Sequence, residues 1–298
     1  MAHFLNQNLF IPDNTKLKEN LYYHESFIES VQFGQSIEIS GDYIFTRCHE
    51  IKNLGIPSGT IISGDGTFYY SNGLQNLTIG DNVSLLGNYI FKSCTNLESL
   101  SIGHSTTIRG NIIFAGLSSL QRLQFSPNTT FSGSYLFAEC DMIKEVIIPD
   151  NCRIRGQFFF KNCPRLERIF IGNNVEIQGS NCFYECSGVR SITIGDNVTN
   201  SGLKFMERCF VNQNVELIIG LNYVGYPIHI PMPILYVNKF ADIKSDLRFE
   251  AIECAISMEK FDDDSDVIVL ECGHVFLLDP LQKWIEIQKI CPTCKKRI

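Results

Sequence analysis

The residues of this chain best suited to chemistry gather near its C-terminus. Cys254 is followed by Cys272 and His274 in a C-x-H spacing, then by Cys291 and Cys294 in a C-x2-C spacing. Thiolate and imidazole are the donors of tetrahedral zinc sites. The chain's twelve cysteines admit a second chemistry, disulfide bridging, which requires an oxidising compartment. The N-terminal MAHFLNQNLFIPDN has neither the basic start nor the apolar core of a signal peptide. The reading is therefore reduced thiols plus metal ligands in a cytoplasmic protein, with a nuclear location also open, and not a secreted one. Asn-x-Ser/Thr sequons at Asn76, Asn82, Asn128 and Asn197 pull weakly the other way, but three of these asparagines belong to a structural repeat.

The tail pattern, with CAIS at Cys254, CGHVFLLDP at Cys272 and CPTC at Cys291, resembles the RING superfamily over Glu253 to Ile298. It is closest to the branch that keeps one zinc, which includes the SP-RINGs of SUMO ligases and degenerate RING ubiquitin ligases. A RING orders eight ligands as C-x2-C, C-x-H, H/C-x2-C and C-x2-C, and its two zincs take alternate pairs. On that pattern one site falls on Cys254, Ser257, Leu277 and Pro280, of which three are not zinc ligands. The other falls on Cys272, His274, Cys291 and Cys294, a complete Cys3His set. The resemblance thus implies one structural Zn2+.

It also implies partners. In RING ligases a ubiquitin-conjugating enzyme rests on an apolar residue of the first loop, a helix tryptophan and the proline of the last C-P-x-C. Ile256, Trp284 and Pro292 stand at those positions, although Ile256 and Trp284 also suit a core. A basic residue after the last ligand often bridges to ubiquitin, and Lys295 stands there. The implied function is a RING-type ubiquitin-protein ligase that supplies no nucleophile of its own. The alternatives are a non-enzymatic adaptor with a structural zinc module, and a SUMO ligase.

These residues need elements to hold them. Asp279 suits a helix N-cap with Pro280 at the first helical position, and Leu281, Trp284, Ile285 and Gln288 then share one helical face. Leu277 and Leu278 supply apolar bulk for the emptied site. Further upstream, glycines at 41, 64, 87, 110, 133, 156, 179 and 202 recur every 23 residues. Phe45, Phe68, Phe91, Phe114, Phe137, Phe160, Phe183 and Met206 follow them four residues later. Next come Cys48, Cys94, Cys140, Cys163, Cys186 and Cys209, with Ser71 and Leu117 in the same column, and then an L-x-x-L-x-I run. An asparagine column (Asn82, Asn128, Asn151, Asn174, Asn197) closes the unit. Units this short bury a core only by stacking. Each glycine marks a tight turn or a positive φ, each cysteine a small apolar filler, and each asparagine a bond to the next turn's backbone.

The repeat resembles BspA-like leucine-rich repeats from Phe33 to Gly220. The expected fold is mainly β: a solenoid of 23-residue turns with a small α+β zinc-binding domain at the C-terminus. About nine turns at roughly 4.8 Å give about 40 Å of length. The expected boundaries are an N-terminal cap over 1–32, the solenoid over 33–220, a cap and linker over 221–250, and the RING-like domain over 251–298. Pro227, Pro231 and Pro233 suit an extended cap, and residues 238–250 a short helix.

The outward column of the L-x-x-L-x-I strands reads Gly55, Thr78, Ser101, Gln124, Ile147, Phe170, Thr193 and Glu216. Ile147 and Phe170 adjoin, with Glu145 and Arg168 beside them, and such a rimmed apolar pair is the candidate face for a protein substrate. Formal net charge is −7 with no long basic run, which argues against nucleic acid. No apolar run is long enough to span a membrane.

Overall fold

The structure, a computed structural model, describes residues 3–5, 7–18, 21–25, 27–202, 206, 208–209, 215–225, 235–240, 253–270, 272, 274–288 and 290–296. Each turn of the solenoid supplies two strands. The first is four residues long and alternates exposed and buried, as in Asn76–Ile79 with Leu77 and Ile79 inside. The second is shorter, as in Ser84–Leu85. Equivalent strands of successive turns pair in parallel, Ser84 with Thr107 and Thr107 with Thr130. The second strands form one ten-stranded sheet from Lys16–Leu17 to Val224–Gly225.

That sheet begins before the expected solenoid boundary. Asn8–Ile11 pairs in parallel with Ser30–Phe33, and Lys16–Leu17 with Glu38–Ile39. Tyr22 stacks on Phe45 at 5.3 Å, standing where the phenylalanine column would continue. Residues 8–32 are thus largely a turn one residue short rather than a cap. Of the described residues before Ser30, only His3–Leu5, antiparallel to Asn8–Ile11, lies outside the coil.

The core is a spine of rings. From Phe45 to Phe183, successive column phenylalanines stack with centroids 5.0–5.6 Å apart and nearly parallel planes. That repeat is close to the strand spacing of about 4.8 Å, so one rotamer serves every turn. Each offset pair adds about 0.5–1.5 kcal/mol to simple burial.

The cysteine column does more than fill space. The thiols of Cys94, Cys163 and Cys186 donate to the carbonyls of Phe68, Phe137 and Phe160 at 3.2, 3.4 and 2.9 Å. Ser71 makes the same bond to Phe45 at 2.9 Å. Where it carries cysteine or serine, the column therefore satisfies a buried carbonyl, which explains why serine replaces cysteine. No disulfide joins any of the twelve cysteines. Burial pushes Cys48, Cys94 and Cys182 up to about 12 and Cys152 up to about 11.

Two columns act differently from their expectation. Of the repeat glycines only Gly156 has positive φ. The others are there because turns touch: a Cβ on Gly133 would fall on the Gly110 carbonyl oxygen, 2.7 Å from its carbon and 3.2 Å from the Gly110 nitrogen. The asparagine column is left-handed instead, with φ of 54–62°, a conformation asparagine tolerates. Their side chains bond one another, Asn197 to Asn174 at 3.3 Å. The bond to the next turn's backbone comes from the residue before: Asp81 accepts from His104 N–H, and Asp150 from Asn173 N–H, both at 2.7 Å.

Proline divides the sheet of first strands. After most of these strands, the next residue donates its N–H to the previous turn, as Gly80 does to Ile56 and Gly172 to Ile148. Pro12, Pro57 and Pro149 have no N–H to give. Pro57 and Pro149 each follow the strand at which a new sheet segment begins, Asn53–Ile56 and Glu145–Ile148, and Pro12 follows Asn8–Ile11, the first strand of the coil.

The last segment runs through Arg168–Ile171, Ser191–Ile194 and Glu216–Ile219. The final turn is longer, so Thr193 pairs with Ile218 rather than Glu216, and Ile218 ends the outward column. Leu235–Lys239 then pairs in parallel with Glu216–Ile219 and antiparallel with Asp266–Val269. One sheet thus continues from the solenoid into the tail. Residues 238–239 are strand, and the rest of the expected helix from 241, like Pro227, Pro231 and Pro233, lies outside the described residues. No helix among the described residues is long and apolar enough to cross a membrane.

Candidate metal centre

Two tight turns of the same geometry frame the tail. In the first, Met258 N–H donates to Cys254 O at 2.8 Å and Cys254 N–H to Glu259 O at 2.8 Å. In the second, Lys295 N–H donates to Cys291 O at 2.9 Å and Cys291 N–H to Lys296 O at 2.7 Å. Met258 and Lys295 share a left-handed φ, 62° and 61°. Between them, Cys272 and His274 sit just before the strand Val275–Leu277.

The fold brings together Cys272, His274, Cys291 and Cys294, whose ligand atoms all lie within 4.8 Å of one another. It is the one such Cys/His/carboxylate group among the described residues. Tetrahedral zinc with bonds of about 2.3 Å to sulfur and about 2.0 Å to nitrogen separates the two donors by about 3.5 Å. Cys272 Sγ and His274 Nδ1 are 3.4 Å apart. Partial burial and then the neighbouring thiols of Cys291 and Cys294 hold Cys272 up at about 11. Thiolates this close repel unless a cation lies between them, so the donor set fits zinc. Four protein ligands leave no open position, and such a site is structural.

Cys254, Ser257, Leu277 and Pro280 make no second donor set. Cys254 is fully buried, and its sulfur accepts the Leu277 N–H at 3.4 Å. Ser257 Oγ is buried without a hydrogen-bond partner. Ile256, Phe261, Leu277 and Leu278 pack on a core of Cys254, Ile268, Leu270, Phe276, Leu281 and Cys291. The first turn keeps its backbone geometry while apolar side chains occupy its surroundings.

The helix α1 (Leu278–Ile287) begins earlier than expected. Leu277 is its N-cap with no side-chain cap bond, and Asp279 lies in the first turn, where a carboxylate complements the helix dipole without capping it. Leu281 and Ile285 face the core. Gln288 is not on that face; it is the C-cap, donating its N–H to Trp284 O at 2.8 Å.

The residues marked for the conjugating enzyme are in part assembled. Trp284 is half-buried and its Nε1–H donates to Ile290 O at 2.9 Å. Lys295 Nζ donates to Pro292 O at 2.7 Å and stands 5.3 Å from the Trp284 ring centroid. Trp284, Pro292 and Lys295 are thus one cluster, and the lysine ammonium is engaged within it. Ile256 is half-buried against the small core.

On the solenoid, Ile147 and Phe170 are register partners, and so are Glu145 and Arg168. Ile147 is 51% exposed, Phe170 is half-buried, and Arg168 Nε meets Glu145 Oε1 at 2.9 Å. Sequence reasoning missed an aromatic column on the connecting turns: Tyr43, Tyr89, Tyr135 and Phe158, each two residues after a repeat glycine. The 23-residue spacing was the signal that could have found it.

A family model described as BspA type leucine rich repeat region matches in six copies over residues 15–130 and 104–216. A ring finger domain model matches residues 252–295. Among curated proteins, a probable E3 ubiquitin-protein ligase XERICO of Arabidopsis thaliana is 32% identical over 81 residues, 24% of this chain and 50% of that one. An Arabidopsis E3 ubiquitin-protein ligase RING1-like is 42% identical over 52 residues, 17% of this chain and 16% of that one. The chain spans half or less of the length of these relatives. A solved leucine-rich repeat protein from Bacteroides ovatus has a TM-score of 0.49 at 21% identity, covering 73% of this chain and 74% of its own. The chain belongs to the BspA-type leucine rich repeat family and carries a RING finger domain at its C-terminal end.

Proposed function

We propose that the protein is a RING-type ubiquitin-protein ligase in which the tail recruits a ubiquitin-charged conjugating enzyme and the solenoid binds the protein substrate. The observation that carries this reading is the complete Cys3His cluster beside the Trp284, Pro292 and Lys295 group. The relatives matched over the tail bear the names of E3 ubiquitin-protein ligases. One zinc, when bound, locks the loop carrying Cys272 and His274 to the last turn. Ile256, Trp284 and Pro292 offer the enzyme its apolar seat.

Catalysis is then orientation: the enzyme's thioester is held in a reactive pose while a substrate lysine attacks it. The Ile147 and Phe170 pair, with Arg168 and Glu145 beside it, is the substrate seat, and it raises the local concentration of substrate near the thioester. Twelve cysteines without a disulfide favour a cytoplasmic or nuclear setting.

The test is discharge of ubiquitin from a broad panel of charged conjugating enzymes, with SUMO run in parallel. Stimulated discharge, strongly reduced by Ile256→Ala and by Pro292→Ala while zinc stays bound, supports the reading. Stimulation with SUMO alone reassigns the modifier. No stimulation of any enzyme by a folded tail leaves a non-enzymatic adaptor.

A further inference from the structure

The connecting turns of the solenoid form a face of their own. Two residues after the repeat glycine, four successive turns place Tyr89, Ile112, Tyr135 and Phe158 at φ of 57–61°. Bulky residues rarely adopt this left-handed conformation, and a β-branched one such as Ile112 less still. The turn does not require them, because Gly66 and Asn181 occupy the same column with φ of 61° and 55°. Large side chains held at strained, partly exposed positions mark surfaces kept for a purpose other than stability.

Cations accompany the rings. Lys92 Nζ stands 5.8 Å from the Tyr69 ring centroid and 5.5 Å from that of Tyr89. Lys161 Nζ stands over three rings, Tyr135, Phe158 and Tyr184, at 5.7, 5.4 and 5.6 Å. Tyr135 and Phe158 stack at 4.8 Å. Among the described residues, no ion pair involves Lys92 or Lys161. The two lysines hold the same place in their turns, with buried Ala115 and Ala138 in the corresponding place of the two turns between. The result is a shallow apolar saddle with a cation at each end.

We propose that this face docks an extended peptide segment of a partner protein carrying two carboxylates four residues apart. Lys92 and Lys161 are three turns apart, about 14 Å at the strand spacing, and an extended chain covers that distance in about four residues. The carboxylates complement the two ammonium groups, and an apolar residue between them covers the half-buried Ile112. Rings beneath each lysine keep the ammonium in place, so little freedom is lost on binding. The proposal is independent of whether the tail recruits a conjugating enzyme, and it concerns a different face from Ile147 and Phe170.

Fluorescence anisotropy with the full zinc-loaded chain tests it. The probes are a labelled decapeptide with Glu at positions three and seven and Leu between them, the same peptide with Lys for Glu, and a labelled 12-nucleotide oligouridylate. Expected are at least tenfold tighter binding of the Glu peptide than the Lys peptide, weakening with salt, and a further tenfold loss in Lys92→Glu/Lys161→Glu. Tyr135→Asn/Phe158→Asn, which relieves the left-handed strain, should also lose binding without lowering the melting temperature. Ile147→Asp should leave binding unchanged. Equal binding of both peptides, affinity unmoved by the charge reversals, loss caused instead by Ile147→Asp, or tighter binding of the oligouridylate would each overturn the proposal.

Discussion

Gly133→Ala tests whether the glycine column is a contact rather than a hinge. The added methyl would meet the carbonyl oxygen, carbonyl carbon and amide nitrogen of Gly110, all backbone, so neither partner can rotate away. Overpacking of this kind costs about 1–3 kcal/mol. Relief requires the two turns to part, which weakens the bonds from Gly110 N–H to Ser132 O and from Ile112 N–H to Ser134 O, at 3.2 and 2.9 Å. At about 0.5–1.5 kcal/mol each, these add about 2 kcal/mol. Alanine restricts the unfolded chain and returns about 0.4–1 kcal/mol. The net loss is about 3 kcal/mol. Gly55→Ala is the control, because nothing lies within 4 Å of its Cβ and its φ is not positive; it should be neutral or slightly stabilising. Urea unfolding followed by circular dichroism at fixed zinc reads both. With a slope of about 1–3 kcal/mol/M, Gly133→Ala should lower the midpoint by about 1 M or more. Equal midpoints for the two variants would refute close turn contact as the reason for the column.

Metal analysis of the purified chain should give one zinc, and Cys291→Ser should release it and unfold the tail while the solenoid's circular dichroism persists; two zincs, or a folded tail without any, would contradict the site. The buried thiols predict an alkaline limit to stability. Folding raises Cys48, Cys94 and Cys182 from 9.0 to about 12, so the native state holds these protons more tightly. Their stabilising contribution is complete below about pH 9 and is lost as the pH climbs toward 12, which equilibrium unfolding across that window should show. Lys295→Met should weaken conjugating-enzyme binding and shift Trp284 fluorescence, because the ammonium orders Trp284 and Pro292; slowed discharge at unchanged binding and emission would instead assign it to ubiquitin.

Much of this protein is determined by spacing alone. A 23-residue period places identical residues one strand apart, so the phenylalanine spine, the cysteine column and the paired strands follow from position in the chain. The Cys3His cluster is legible for a related reason: C-x-H and C-x2-C spacings close local turns, and the preserved backbone of the first turn around Cys254 shows how local that geometry is. Tertiary structure decided what spacing cannot express. Glycine is present because Gly110 and Gly133 touch across turns, a fact about neighbours in space. Prolines that look alike in sequence matter only where a missing N–H interrupts a ladder. Ile218 rather than Glu216 joins the outward column because the last turn is longer. Leu235–Lys239 joins solenoid to tail because both have an edge to pair, and Lys295 lies over Trp284 because the last turn and α1 pack together. In each case the deciding partner is remote in sequence or offset from the period, and only the packed chain brings the two together.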